Sequence, residues 1–192
     1  GVIFYLHGNA GTLESWGQIA PVYTDLDYDI FFLDYRGFGK SDGRIENQQQ
    51  LFGDVQVAYN KIKELYGEDK ITLMGFSIGT GPAAYLASKN NPSRLILQAP
   101  YYDLTNVIQD FCPVMPDFLI RYKLETYKYL EDCKIPVVIF HGTKDFTIDY
   151  ENSVKLSKHL KENDIFITLD GESHNGITEN GTYKQKLAEI LD

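Results

Sequence analysis

Ser77 stands in the run Gly75-Phe76-Ser77-Ile78-Gly79, directly after the apolar stretch Ile71 to Gly75 and ahead of a small-residue helical segment. A serine on a sharp strand-to-helix turn between two glycines is a nucleophile elbow. Side chains two positions either side would collide, and the turn lifts Oγ to the end of a sheet. The helix that follows brings unpaired N–H groups and a positive dipole end, which suit a developing oxyanion. Ile78 supplies one such N–H. Serine is a weak nucleophile at neutral pH, so it needs a base and a group that orients the base. The histidines are His7, His141, His159 and His174. Behind an elbow the chain order is serine, acid, histidine, which removes His7 as the base. His141 satisfies the order alone, but it stands at a strand end and leaves no room for an acid on the following loop. His159, in the run from Lys155 to Asn163, reads as an exposed helical residue. His174 lies in a loop after the last apolar run, with Gly171 and Gly176 on either side, and is the expected base.

The acid belongs on the loop after the penultimate strand, and Asp145 in His141-Gly142-Thr143-Lys144-Asp145 is placed to reach the next loop. Aspartate is also common there as a turn or helix cap. Asp149, nearer the helix start, reads as that cap, and Asp103 after the fourth strand is the runner-up acid. A second oxyanion N–H must face the serine. His7-Gly8-Asn9-Ala10-Gly11 is a glycine-bearing turn after the first strand, and the Asn9 N–H is the expected donor, with Ala10 beside it. A tight turn alone would account for the glycines; His7 is expected to brace the loop by a hydrogen bond.

Six apolar runs of strand length carry these residues: Val2 to Leu6, Ile30 to Asp34, Ile71 to Gly75, Arg94 to Gln98, Pro136 to His141 and Ile165 to Leu169. Most are apolar at nearly every position, as in parallel strands buried on both faces, and helical patterns fill the gaps, as in repeated βα units. Helices are expected over Leu13 to Tyr23, Asn47 to Tyr66, Ile78 to Ser88, Tyr150 to Lys161 and Tyr183 to Leu191. The stretch 101–134 breaks the rhythm with a crowd of Tyr, Phe, Pro and Met. An insertion of that length is expected to be a helical lid, with Tyr101, Phe111, Met115 and Phe118 as candidate contacts for an apolar substrate group.

The chain has 192 residues, 43% of them hydrophobic, 14% aromatic and 23% charged. That composition suits one folded catalytic domain over residues 1–192 and excludes a disordered chain. A net charge of −9 repels phosphate backbones, so no nucleic-acid partner is expected. Cys112 and Cys133 make neither a disulfide framework nor a zinc site and are expected as free thiols. No run approaches the roughly 18 to 20 apolar residues of a membrane span and no signal peptide stands at the front, so the chain as given is expected to be soluble and cytoplasmic, or anchored or exported if a segment ahead of Gly1 carries an anchor or signal.

These segments together resemble the α/β-hydrolase family over almost the whole chain, with a closer likeness to its Bem46-like and ABHD13-like branch of serine hydrolases. The resemblance rests on HGNAG at His7 to Gly11, DYRGFGKSDG at Asp34 to Gly43, GFSIG at Gly75 to Gly79, HGTKD at His141 to Asp145 and ESHN at Glu172 to Asn175. It implies the α/β-hydrolase fold, a Ser77, Asp145, His174 triad, a small-molecule ester or thioester substrate, and no metal or organic cofactor. Arg36 and Asp34 are expected to brace the loops behind the site. The family's sheet has eight strands, so the resemblance also implies that two strands before HGNAG are missing. Ile30 to Asp34 would then be an exposed apolar edge, and a membrane anchor is open only through a segment ahead of Gly1. After Asp145 the run Phe146-Thr147-Ile148-Asp149 lacks the proline that relatives often carry there, so that turn is expected to differ. A peptidase of the same fold and a non-catalytic binding module are the competing expectations; the complete set of serine, acid and histidine argues against the second.

Overall fold

The six apolar runs become six parallel strands. In the computed structural model of the protein, which describes residues 1–116, 120 and 122–192, these are β1 (Val2–Leu6), β2 (Asp29–Leu33), β3 (Ile71–Phe76), β4 (Arg94–Gln98), β5 (Val137–Gly142) and β6 (Ile165–Leu169). They make one sheet in the order β2-β1-β3-β4-β5-β6, every neighbouring pair parallel. No strand bound departs from the sequence expectation by more than one residue. β1 leads outward to β2, whereas β3 leads the other way to β4. That reversal opens a crevice beyond the carboxyl ends of β1 and β3. β2 forms one edge of the sheet, half-buried except for the exposed Asp29.

Helices cover both faces: α1 (Leu13–Trp16), α2 (Pro21–Thr24), α3 (Gln48–Tyr66), α4 (Thr80–Lys89), α5 (Leu104–Phe111), α6 (Thr126–Asp132), α7 (Glu151–Ser157) and α8 (Gly181–Leu191). Strand alternation divides the core. Val2, Phe4, Leu6 and Leu73 pack with Val55, Tyr59 and Ile62 of α3 and Ala83 and Leu86 of α4. Ile3, Tyr5 and Met74 pack on the opposite face with Tyr23 and with Tyr183, Leu187 and Leu191 of α8. On that second face four fully buried polar residues satisfy one another. The Tyr5 hydroxyl donates to Gln98 Oε1 at 2.9 Å, and Gln98 Nε2 donates to the hydroxyls of Tyr23 and Tyr183. Burial pushes the Tyr23 phenol up to about 12.

Two helical expectations need correction. Leu13 to Tyr23 is not one helix: Gly17–Ile19 is a 3-10 turn between α1 and α2, because Pro21 lacks the N–H that would continue the ladder and instead starts α2. Helix α7 stops at Ser157 rather than Lys161. Its chain tightens into i to i−3 bonds from Lys158, His159 and Leu160, so His159 lies beyond the helix. The insertion holds α5 and α6, and α6 lies along α4. Both cysteines are free; Cys133 is buried and Cys112 half-buried. No helix among the described residues is long and apolar enough to cross a membrane.

Candidate active site

The elbow is built by close backbone contact. A Cβ on Gly79 would lie 2.1 Å from the Leu6 carbonyl oxygen, and one on Gly75 would lie 2.6 Å from the Gly79 oxygen. Only glycine lets the turn after β3 settle against the end of β1. Ser77 pays for the sharpness with a φ of +52°, a left-handed conformation that costs a non-glycine residue about 1 to 3 kcal/mol. The Thr80 hydroxyl helps to hold it, donating to the Ser77 carbonyl at 2.6 Å.

The structure brings three of the expected residues into a line. His174 Nε2 lies 3.0 Å from Ser77 Oγ, and His174 Nδ1 lies 2.6 Å from Asp145 Oδ2. A carboxylate only accepts, so Nδ1 carries the hydrogen and Nε2 is left to accept from the serine hydroxyl. All three residues are less than a tenth exposed. Asp145 also forms the turn that its residue type allowed: Oδ1 accepts from the N–H groups of Thr147 and Ile148, both at 2.8 Å. Its two oxygens thus divide the two roles. Burial alone pushes the Asp145 carboxyl up, but hydrogen bonds from His141, His174 and the Ile148 N–H outweigh it and hold the group well below the usual carboxylate range.

His141 was weighed in the sequence only as a base, and its actual place is behind Asp145. Its side chain is fully buried, with Nε2 2.9 Å from the Ile148 carbonyl and 3.2 Å from Asp145 Oδ2, and Nδ1 2.6 Å from Ser153 Oγ. Since the carbonyl only accepts, Nε2–H is shared between the two oxygens, and Nδ1 is left to accept from the Ser153 hydroxyl. The signal in the sequence was a histidine four residues before Asp145 at the end of a buried strand. The other candidates lie elsewhere. Asp103 caps α5, accepting from the Asn106 N–H at 2.7 Å, and Asp149 accepts from the Glu151 N–H at the start of α7. His159 pairs with Glu131 at 2.9 Å and meets the Tyr102 hydroxyl at 3.3 Å.

The loop after β1 is held on several sides. His7 Nδ1 donates to the Gly8 carbonyl at 2.7 Å, Tyr35 donates to the His7 carbonyl, and Trp16 Nε1 donates to the Ala10 carbonyl, both at 2.9 Å. His7 Nε2 lies 3.2 Å from Asp34 Oδ1, while Arg36 makes a two-pronged pair with Asp54 on α3. Asp34 therefore stands behind the loop, and Arg36 ties its segment to α3 instead. The N–H groups of Asn9 and Ala10 donate to no other group of the described protein.

Ser77 and His174 open into a chamber of about 510 Å³, walled by residues 8–11, Ser15, Trp16, Phe76, Thr147 and Asn175. No carboxylate or ammonium group is among these walls. Trp16 and Thr147 were not anticipated as wall residues; both face the site only because of the tertiary arrangement. Two of the expected substrate contacts are placed differently. Tyr101 is fully buried, its hydroxyl donating to the Ile78 carbonyl and accepting from the Gly81 N–H, both at 3.1 Å; it supports the elbow from below. Met115 is half-buried in the turn after α5 and is not a chamber wall. Phe118 and the side chain of Phe111 lie outside the described residues. The insertion instead borders a second hollow of about 450 Å³ beyond the 145–149 turn, through Val107 and Asp110.

Comparisons with known proteins agree with this architecture. A family model described as alpha/beta hydrolase fold matches residues 1–119. A putative alpha/beta hydrolase of Acanthamoeba polyphaga mimivirus is 31% identical, covering 99% of this chain and 72% of its own. Alpha/beta hydrolase domain-containing protein 17B of Homo sapiens is 28% identical, covering 98% of this chain and 65% of its own. The chain spans 57 to 61% of the length of three further curated relatives. Among solved structures, a monoacylglycerol lipase of Paleococcus ferrophilus superposes with a TM-score of 0.76 at 18% identity, covering 100% of this chain and 93% of that one. An esterase of Pyrococcus furiosus does so with 0.78 at 18% identity, covering 99% and 80%. At such identity these two likenesses concern the fold. The animal relatives with numbered domain names are of the domain-containing 17 type, so the relatives support the superfamily rather than the narrower Bem46-like and ABHD13-like branch. By sequence model, by relatives and by fold, this chain belongs to the alpha/beta hydrolase family.

Proposed function

We propose that the protein is a serine hydrolase that cleaves a carboxylic ester or thioester through an acyl-enzyme on Ser77. The observation that carries this reading is the unbroken line from Ser77 Oγ to His174 at 3.0 Å and from His174 to Asp145 at 2.6 Å. Ser77 Oγ attacks the acyl carbon while His174 Nε2 takes the hydroxyl proton. Asp145 holds the ring orientation and stabilises the imidazolium. The backbone N–H groups of Asn9 and Ile78 are assigned to the oxyanion. As the bond from acyl carbon to oxygen or sulfur breaks, His174 returns its proton to the leaving alkoxide or thiolate. Water then gives a proton to His174 and adds to the acyl carbon; Ser77 Oγ leaves with that proton, and the carboxylic acid is released.

A chamber without charged walls suits a neutral acyl group, and the neighbours named as an esterase and a monoacylglycerol lipase favour an ester over an amide. A fluorophosphonate probe is the direct test: mass spectrometry should find the adduct on Ser77, and folded protein without it overturns the reading. p-Nitrophenyl esters should turn over faster than matched anilides; the reverse order makes the protein an amidase or peptidase.

A further inference from the structure

A smaller hollow lies against the chamber at Ser77. Trp16, Phe76 and Asn175 wall both the chamber and this hollow of about 80 Å³, whose far walls are Tyr5, Ile19, Ile177 and Thr178. We propose that this hollow receives the tail of the acyl chain, so that a straight, medium-length acyl group runs between α1 and the loop after β6 and away from the 101–134 insertion. The proposal rests on the serine-hydrolase reading above and specifies its substrate.

Three observations carry it. Phe76 adjoins Ser77 in the chain and its ring centre lies 4.9 Å from that of His174, so a group bonded to Ser77 Oγ has beside it an apolar ring that also walls the hollow. No wall of the hollow carries a charge, and five of the seven are apolar or aromatic, which suits methylenes and excludes an ionised tail. The walls are also fixed. Trp16 is pinned by its bond to the Ala10 carbonyl and stacks on His7 at 5.8 Å, while the Tyr5 hydroxyl is tied to Gln98. At about 80 Å³ against about 510 Å³ the hollow is much the smaller space, so it takes the end of a chain rather than a whole acyl group. A chain that fills the hollow gains contact with each added carbon, and a longer one meets Tyr5 and Ile177.

The test is the ratio of kcat/KM for a p-nitrophenyl ester of medium chain length to that for the acetyl ester, which does not depend on the fraction of folded enzyme. Wild type should show an optimum within the series from acetyl to hexadecanoyl. Thr178→Phe, which fills the hollow from its outer wall, should lower the ratio about tenfold, the scale of one methylene in a fitted pocket. Ile19→Ala should move the optimum to longer chains. Unchanged ratios in both variants, with wild-type Ser77 labelled by an ethyl fluorophosphonate, overturn the subsite and leave the parent reading standing. A ratio that instead falls in Val107→Phe puts the acyl chain on the insertion side and overturns it as well. Absence of label on wild-type Ser77 removes the parent reading and the subsite together.

Discussion

The loops after β1, β3, β5 and β6 wall the chamber at Ser77 and the insertion between β4 and β5 supports the elbow from below, and the two hold their shape by different means. The loops are set by backbone: Gly75 and Gly79 are forced by carbonyl contacts, Asp145 is fixed by two N–H groups, and the first loop is tied through the carbonyls of His7, Gly8 and Ala10. The insertion has backbone ties of its own, such as the Leu104 N–H to the Lys123 carbonyl, and adds ring packing. Tyr102 stacks on Tyr127 at 4.5 Å, and Tyr129 meets Phe52 and Tyr85 edge-on. Where backbone geometry dictates the residue, its type reveals its task. Where an aromatic side chain fills space, its type does not say whether the space belongs to a substrate or to the protein's own core.

The largest expected effect lies on the loop side. Ser77→Ala should lower kcat on p-nitrophenyl esters by about 10⁴ to 10⁶-fold with the melting temperature little changed, whereas Val107→Ala in the insertion should stay within about threefold. Comparable losses in both would erase the contrast. Tyr101→Phe probes the insertion's base. Losing a buried hydroxyl that serves both the Ile78 carbonyl and the Gly81 N–H should cost about 1 to 3 kcal/mol, or about 2 to 4 °C in melting temperature per kcal/mol, with KM held. A raised KM at unchanged stability would return Tyr101 to the substrate.

His141 gives a smaller effect. A hydrogen bond to a charged group is worth about 1.5 to 3 kcal/mol, part of which the shared Nε2–H delivers to Asp145. His141→Phe should therefore lower kcat about tenfold without moving KM, and His141→Gln, whose amide can still donate, should recover part of the loss. Equal loss in both variants would make the role one of packing alone.

Two aspartates, Asp145 on the loop side and Asp103 in the insertion, separate the regions by pH. Asp145 sits below the ordinary carboxylate range in the folded protein, so the unfolded chain binds its proton first. Its contribution is complete above about pH 5 and is lost as pH falls through the unfolded value toward the lower folded one. Asp103 has the opposite sign: burial raises it, so the folded protein binds its proton first and ionisation costs stability as pH rises. Asp145→Asn should flatten the acid limb of melting temperature against pH. Asp103→Asn keeps a side-chain acceptor for the cap and should leave that limb in place.

Much of the site was legible for the reason that separates the regions. Ser77, Asp145 and His174 could be named because an elbow, a loop order and a supply of four histidines leave few arrangements, and the strands because residues buried on both faces are apolar at every position. His141 was visible and rightly set aside as the base, but its place behind Asp145 was not foreseen, since spacing alone does not mark a group that steadies an acid. Tyr101 was misread because aromatic composition is the same for a lid and for a support beneath the elbow. The break at Pro21 was present in the sequence; the hollow that shares Trp16 with the chamber was not, because α1, β3 and the loop after β6 meet only in the folded chain.

The smallest expected effect tests whether the insertion's outer surface reaches the site at all. His159 pairs with Glu131 at 2.9 Å and touches Tyr102, joining the end of α7 to α6, but the Glu131 side chain is 55% exposed. Pairs of that kind contribute about 0 to 1 kcal/mol and weaken with salt. Tyr102 is held independently by Asn152 Oδ1, which accepts its backbone N–H at 3.0 Å, so the base of the insertion stays anchored when the pair is cut. His159→Ala should lower the melting temperature by about 1 to 3 °C at low salt, less at high salt, with kcat/KM on the acetyl ester unchanged. A fall in kcat/KM beyond about threefold would mean that the insertion is coupled to Ser77 through more than Tyr101, and the division between a backbone-built site and a packed support would no longer hold.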